Sequence, residues 1–216
     1  MKTHYYLDWF YDKGFSEKLV NVLHDDITDR KSLVMISAES SDYEDEPVNI
    51  DGVFERTWFN QANIFFDEYH FIDDRTQKED AQRLIQNASV VFLCGGYAQH
   101  QKHLLMEYEL SDLIKVSNAV VMGTSAGGMN MSHEYVNECT VYEGMALNHF
   151  SFEAHFDHEN TALIEERFPL SEKMDIYMAA DKDGAVRVKN SKIDIIGNVY
   201  LISHSKIQKL VETLSF

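Results

Sequence analysis

A serine flanked by glycines is the clearest chemical signal in the sequence. Ser125 lies in Gly-Thr-Ser-Ala-Gly-Gly, residues 123–128, directly after the apolar run 119–122 and before a helix-compatible segment. This order predicts a strand, a sharp turn and a helix, because Gly123 and Gly127 leave room that a side chain would block. Such a turn exposes the hydroxyl beside free helix N–H groups. We interpret it as a nucleophile elbow with Ser125 as nucleophile; a structural turn and an anion-binding loop are the alternatives.

A second glycine pair follows the preceding predicted strand. Gly95 and Gly96 follow the apolar run 89–93, separated from it by Cys94. Ligands of an open parallel sheet bind beyond the carboxyl ends of its strands, so both turns should lie at one edge. Because glycine allows close approach of backbone N–H groups, we expect those of Gly96 and Ala126 to form an oxyanion hole. A plain turn is the alternative for the glycine pair.

A serine nucleophile needs a general base, and the densest histidine group lies in residues 149–158. Alternating apolar residues there indicate a strand, and His155 falls at or just past its end. An active-site histidine would face the crevice from that position, so His155 is the candidate base. Together with Asp157 and His158, it could also suggest a metal site. No further ligand set is evident, and we expect neither a metal nor a cofactor.

The third member of a catalytic triad would be a carboxylate that orients the imidazole and stabilises its cation. Glu134, Glu138 and Glu143 all lie between Ser125 and His155. Residue type and spacing do not show which of these three glutamates orients the imidazole. Each could equally be an ordinary surface carboxylate.

Short apolar strands alternate with amphipathic helices over the first 125 residues. This alternation is typical of a parallel sheet covered by helices on both faces. The predicted strands are residues 3–7, 33–37, 64–66, 89–93 and 119–122, and the predicted helices are residues 16–24, 76–85 and 103–115.

The last forty residues have a different character. They contain four short apolar segments joined by turn residues, which we expect to form an antiparallel edge of the same domain. These predicted strands are residues 176–179, 185–188, 193–196 and 199–202.

Composition limits the partners and the location. A chain of 216 residues fits a single domain over residues 1–216, and its net charge of −17 argues against a nucleic-acid or anionic-membrane partner. The chain has no signal-peptide pattern after Lys2 and no apolar stretch that could span a bilayer. Two cysteines cannot build a disulfide framework. We expect a cytoplasmic monomer or homodimer that acts on a small substrate.

Together these motifs resemble the peptidase E and cyanophycinase group of serine peptidases. The resemblance rests on the motif around Ser125, the upstream Gly95-Gly96 pair and the later pair His155-Phe156, and it covers nearly the whole chain. It implies the class I glutamine-amidotransferase-like fold. The expected fold class is therefore α/β, with a three-layer, doubly wound, mostly parallel sheet of flavodoxin-like type and short antiparallel strands near the C-terminus.

The resemblance also implies roles for individual residues. Ser125 would be the nucleophile and His155 the general base, with oxyanion donors at Gly96 and Ala126. The family's Asn-Asp/Glu element before an apolar pair resembles Asn137-Glu138 and the residues after it. This similarity makes Glu138 the choice for the orienting acid, with Glu143 second.

Two segments depart from the family pattern. Family members often continue the glycine pair with Asn/Asp and Thr, whereas residues 97–99 here are Tyr-Ala-Gln. Aspartyl dipeptidases of the group carry an arginine early in the helix after the histidine, which grips the acidic side chain of the substrate. Here that region reads Asn-Thr-Ala at 160–162, and the nearest arginine is Arg167. Lys102 and His103 are candidate replacements for that arginine.

These observations predict a serine peptidase or dipeptidase that cleaves short peptides. The alternative from another class is a non-catalytic binding module that has kept the fold. An α/β-hydrolase esterase fits less well, because only thirty positions separate Ser125 from His155 and no His-Gly-Gly loop precedes the serine. A glutamine amidotransferase is disfavoured because the apex residue is not cysteine.

Overall fold

The computed structural model describes residues 2–39, 53–137 and 139–213. Within these ranges every helix is too short or too polar to cross a membrane. The elements follow in the order β1 (Thr3–Leu7), α1 (Glu17–Asp26), β2 (Ser32–Ala38), α2 (Phe54–Gln61), β3 (Glu68–Ile72), α3 (Lys78–Asn87), β4 (Val90–Gly96), α4 (Ala98–Glu107), α5 (Leu110–Val116), β5 (Val120–Thr124), α6 (Ala126–Met131), β6 (Glu134–Asn137), β7 (Thr140–Glu143), β8 (Ser151–Phe156), α7 (Thr161–Ser171), β9 (Ile176–Ala180), β10 (Ala185–Lys189), β11 (Lys192–Ile196), β12 (Val199–Ser203) and β13 (Lys206–Lys209).

A seven-stranded sheet forms the middle layer, in the order β11-β10-β1-β5-β4-β2-β3. Strands β1, β5, β4, β2 and β3 are parallel, and β10 and β11 add an antiparallel edge beside β1. Successive residues of a strand face opposite sides. Tyr6 accordingly packs in the core cluster with α3, α4, α5 and α6, whereas Tyr5 and Leu7 pack in the cluster with α1 and α2. The expected three-layer, mostly parallel α/β fold is confirmed.

A second sheet contains four strands, in the order β13-β12-β9-β8. The C-terminal strands therefore do not form one edge: β10 and β11 extend the central sheet, while β9 and β12 pair with each other. The chain leaves the second sheet at the turn between β9 and β10 and returns to it at the turn between β11 and β12. These two turns pack against each other. A Cβ added to Gly184 would lie 2.4 Å from the carbonyl oxygen of Asn198, so this approach requires glycine.

Two predicted elements were wrong in detail. Residues 64–66 are not a strand; Ile64 and Phe66 are buried in the core from a loop that precedes β3. A buried loop consists of apolar residues just as a buried strand does, so an apolar run alone does not distinguish the two. The predicted helix over 103–115 is two helices, α4 and α5, separated at Glu109, which has a φ of 56°.

The carboxyl ends of β1, β5 and β4 lie side by side in the sheet. Leu7 pairs with Thr124, and Leu93 pairs with Gly123. The residues that follow these strand ends are thereby brought to one edge, and the candidate site lies there.

Candidate active site

The turn between β5 and α6 holds Ser125 in a strained backbone conformation, with φ 48° and ψ −114°. Its N–H donates to the carbonyl of Leu7 at 3.0 Å, which fixes the turn to the end of β1. Helix α6 packs directly on β4: a Cβ added to Gly127 would lie 2.1 Å from the carbonyl oxygen of Leu93. Glycine at position 127 is therefore required for the tight turn, and a positive φ at a serine is typical of functional sites.

The structure brings Ser125 and His155 together. Ser125 Oγ lies 2.9 Å from Nε2 of His155, thirty residues further along the chain. A hydroxyl at this distance can transfer its proton to the imidazole as it attacks a carbonyl carbon. The His155 side chain is half exposed, so it faces a space that a substrate can enter.

A bulge in β8 directs His155 toward the serine. Between Glu153 and Phe156 the pairing of β8 with β9 gains one residue, and His155 within this bulge has a φ of 59°. Such a bulge redirects a side chain that would otherwise follow the alternation of the strand. The predicted position of His155 near a strand end is therefore close to the observed one, and the bulge explains its orientation.

Sequence reasoning missed Asp8, the residue that follows β1. Its side chain is buried, with 1% exposed, and Oδ1 lies 3.7 Å from Nδ1 of His155. Oδ1 accepts the N–H groups of Trp9 at 2.9 Å and of His155 at 3.0 Å, and Oδ2 accepts that of Lys182 at 2.9 Å. Burial raises the pKa of Asp8 above its ordinary 3.8, against the opposing effects of these hydrogen bonds and of the His155 ring.

The glutamates predicted for the orienting role lie elsewhere or outside the described residues. Glu138 belongs to the part of the chain that the structure does not describe. Glu134 and Glu143 are opposite each other in the β6–β7 hairpin. Glu143 lines a cavity of about 170 Å³, together with Lys102 and Met145. Within the described residues, neither Glu134 nor Glu143 forms a hydrogen bond or an ion pair with His155.

The other histidines of the dense group have different neighbours. His149 packs edge-on against His133, with ring centroids 4.8 Å apart, and His158 stacks on Tyr200. Across residues 2–39, 53–137 and 139–213, no cluster of three or more His, Cys, Asp or Glu side chains could hold a metal ion.

The two expected oxyanion donors lie at the ends of neighbouring elements. Gly96 is the last residue of β4, with a φ of 134°, and Ala126 is the first residue of α6. The N–H groups on either side of Gly96 are occupied: Gly95 donates to Glu55 Oε1 and Tyr97 donates to the Ala38 carbonyl, both at 3.0 Å. The N–H of the first residue of a helix has no partner within the helix. Helix α6 therefore leaves the Ala126 N–H without a partner inside the helix, next to Ser125.

The sequence matches the model of peptidase family S51 over residues 35–196, a segment that includes Ser125, Glu138 and His155 and begins after Asp8. Two solved structures share the fold. A peptidase from an acI-B1 Actinobacterium has a TM-score of 0.68 and 18% identity, over 100% of this chain and 96% of that one. A protein assigned as a peptidase E from Listeria monocytogenes EGD-e has a TM-score of 0.63 and 13% identity, over 98% of this chain and 100% of that one.

No curated protein sequence matches the chain. The family match covers most of the chain, and both structural relatives extend over nearly all of it. The expected family is confirmed: the chain belongs to peptidase family S51 and is a serine-type peptidase.

Proposed function

We propose that this serine peptidase cleaves short peptides with Ser125 as nucleophile and His155 as general base. The observation that carries the proposal is the 2.9 Å distance between Ser125 Oγ and His155 Nε2 at the carboxyl edge of the central sheet. A serine hydroxyl is a weak nucleophile alone, and a neighbouring imidazole activates it. The two free thiols, Cys94 and Cys139, suit the cytoplasm, which we propose as the location.

The reaction follows the chemistry of acyl transfer. Ser125 Oγ attacks the peptide carbonyl carbon while His155 Nε2 takes the hydroxyl proton. The N–H groups of Gly96 and Ala126 stabilise the oxyanion of the tetrahedral intermediate. His155 then gives the proton to the leaving amine, which departs and leaves an acyl-enzyme. Water, deprotonated by His155, attacks the ester carbon, and collapse of the second intermediate releases the product acid and restores Ser125.

We propose Asp8 as the carboxylate that orients His155 and stabilises its cation. Its Oδ1 faces Nδ1 of the ring at 3.7 Å and accepts the backbone N–H of the same histidine. Glu138, which the family resemblance favours, remains the alternative for this role.

The substrate need not carry an acidic side chain. Arg167, the arginine nearest to the family's specificity position, is buried, and its Nε donates to both carboxylate oxygens of Glu153 at 2.8 and 3.0 Å. Its Nη1 donates to Glu166 at 3.1 Å. Because Arg167 is buried and already paired with two carboxylates of the protein, its guanidinium group is not presented to a substrate. We therefore propose that the substrates are short peptides and that they need not contain aspartate.

The direct test is hydrolysis of a dipeptide and tripeptide mixture by the wild-type protein and by Ser125→Ala and His155→Ala. The wild-type protein should release free amino groups, and each substitution should lower kcat by about 10⁴- to 10⁶-fold. His204→Ala and Ser205→Ala are matched controls, because both residues are exposed in the turn between β12 and β13. Hydrolysis by Ser125→Ala at the wild-type rate would overturn the proposal.

A further inference from the structure

Three aromatic side chains, two of them exposed and one half-buried, form a patch next to the candidate site. Trp9 stacks on Phe54, with ring centroids 5.7 Å apart and an interplanar angle of 16°, and meets Tyr11 edge-on at 6.1 Å. Tyr11 is 42% exposed and Phe54 is 41% exposed. We call Trp9, Tyr11 and Phe54 the aromatic patch. Single exposed apolar residues are common on proteins, whereas a group of aromatic rings in mutual contact beside a catalytic serine is a candidate binding surface.

The aromatic patch is continuous with the edge that carries Ser125. A Cβ added to Gly95 would lie 2.7 Å from Cζ3 of Trp9 and 3.6 Å from Cγ2 of Thr124. The indole ring therefore lies against the ends of β4 and β5, beside the residues that immediately precede Gly96 and Ser125. The backbone N–H of Trp9 also donates to Asp8. A peptide with its carbonyl carbon at Ser125 would place a neighbouring side chain within reach of this ring.

The patch also carries a positive charge on a strongly acidic protein. Lys182 Nζ lies 4.0 Å from the centroid of the Tyr11 ring, a cation–π arrangement, and the backbone N–H of Lys182 donates to Asp8 at 2.9 Å. This ammonium group would repel a substrate lysine or arginine. A substrate aspartate would gain only a solvent-exposed ion pair with Lys182, which contributes little to binding. An aromatic ring of the substrate would gain stacking contacts with the patch, and the Lys182 ammonium group would lie at the rim of that contact.

We propose that the aromatic patch binds an aromatic or large aliphatic side chain that flanks the scissile bond of a short peptide. This inference rests on the proposed function, because it names the substrate class of the same site. Burial of such a side chain is worth about 10- to 100-fold in affinity over alanine. We therefore expect this peptidase to prefer phenylalanine or leucine over aspartate or lysine beside the scissile bond.

The test is protection of Ser125 from a fluorophosphonate by dipeptides, read by intact-protein mass spectrometry. Phe-Ala, Ala-Phe, Leu-Ala and Ala-Leu are compared with the corresponding aspartate and lysine dipeptides, and hydrolysis rates are measured in parallel. We expect half-protection by the best phenylalanine dipeptide at a concentration about 10- to 100-fold lower than by the aspartate or lysine dipeptides. Equal protection by all dipeptides, or preference for aspartate or lysine, overturns the inference.

Variants of exposed patch residues test the assignment without disturbing the core. Phe54→Ala and Tyr11→Ala should each reduce the preference for phenylalanine over alanine by about fivefold or more, mainly through KM. The matched control is Phe65→Ala, because Phe65 is 56% exposed but lies before β3, at the opposite edge of the sheet. A uniform loss for all substrates in both patch variants, or the same loss of preference in the control, overturns the inference.

Failure of the inference and failure of the proposed function give different results. Labelling of Ser125 without selective protection overturns the aromatic patch as a subsite and leaves the nucleophile assignment intact. Neither labelling nor hydrolysis by the folded wild-type protein overturns both proposals.

Discussion

The Asp8 carboxylate holds His155 by its backbone while it faces the imidazole ring: Oδ1 accepts the His155 N–H at 3.0 Å and lies 3.7 Å from Nδ1. His155 has a φ of 59°, in the left-handed region that few residues with a Cβ adopt. Hydrogen bonds from Trp9 and Lys182 fix the same carboxylate. One buried group thus joins β1, the bulge of β8 and the turn after β9.

The first prediction separates the two candidates for the orienting acid. Asp8→Asn should lower kcat by about 10²- to 10⁴-fold, because a neutral amide cannot stabilise the imidazolium that forms during the reaction. It should also lower the free energy of unfolding by about 1–3 kcal/mol, since the amide cannot accept all three backbone N–H groups in the same way. Steady-state kinetics and urea denaturation of the purified variant measure the two effects.

Glu138→Gln is the decisive comparison for Asp8→Asn, and Glu143→Gln is the control from the β6–β7 hairpin. If Asp8 orients His155, both glutamate variants should retain kcat within a few-fold of the wild-type value. The reverse pattern, with Glu138→Gln inactive and Asp8→Asn active, would assign the role to Glu138.

The second prediction concerns Glu55, whose buried carboxylate accepts the Gly95 N–H at 3.0 Å beside Gly96. Glu55→Ala leaves that N–H unsatisfied and should lower the free energy of unfolding by about 1–3 kcal/mol. It should also lower kcat by up to about 10²-fold, because the adjacent oxyanion donor loses its support. Glu55→Gln keeps an acceptor of similar shape and should show neither loss; equal losses in the two variants would refute this role.

The third prediction is the pH dependence of stability that arises from Glu55. Burial raises the pKa of Glu55 above its ordinary 4.5, and no cation balances that effect among the causes within the described residues. The folded protein therefore retains this proton at pH values where the unfolded chain has released it. The contribution of Glu55 to the free energy of unfolding falls as pH rises from 4.5 through the raised folded pKa. Glu55→Gln should gain stability relative to the wild-type protein across this window, as denaturation at a series of pH values would reveal; an unchanged difference would show that Glu55 keeps its ordinary pKa.

The fourth prediction addresses the turn that holds Ser125. Gly127→Ala places a Cβ 2.1 Å from the Leu93 carbonyl oxygen, so α6 must move away from β4. Crowding of a packed interior costs about 1–3 kcal/mol or more, and the displaced turn should lower kcat together with the free energy of unfolding. Thermal denaturation and kinetics of the variant check both; wild-type values would show that α6 does not need this close approach.

The sequence identified Ser125 as the candidate nucleophile and His155 as the candidate base because the patterns around both residues are local. The glycines around Ser125 follow from a tight strand-to-helix turn, and the alternation before His155 follows from a half-buried strand. Asp8 has the same kind of signal, since it directly follows the predicted strand at residues 3–7. Its partnership with His155 spans 147 positions and depends on the neighbouring places of β1 and β5 and on the bulge in β8. No local pattern contains that information.

The same limit explains the C-terminal strands. Short alternating segments predict strands, but the sheet that each joins depends on where the intervening turns direct the chain. Here the turns at Gly184 and Gly197 pack against each other and place consecutive strands in different sheets. Buried loop residues such as Ile64 imitate a strand because core packing selects apolar side chains in either conformation.

Covalent labelling of the wild-type protein by a fluorophosphonate, with the modified residue located by peptide mass spectrometry, shows whether His155 activates Ser125. We expect one adduct, on Ser125, and labelling that slows by several orders of magnitude in His155→Ala while His204→Ala reacts like the wild-type protein. An unlabelled Ser125 in the folded protein, or labelling of Ser125 at the same rate without His155, would contradict it.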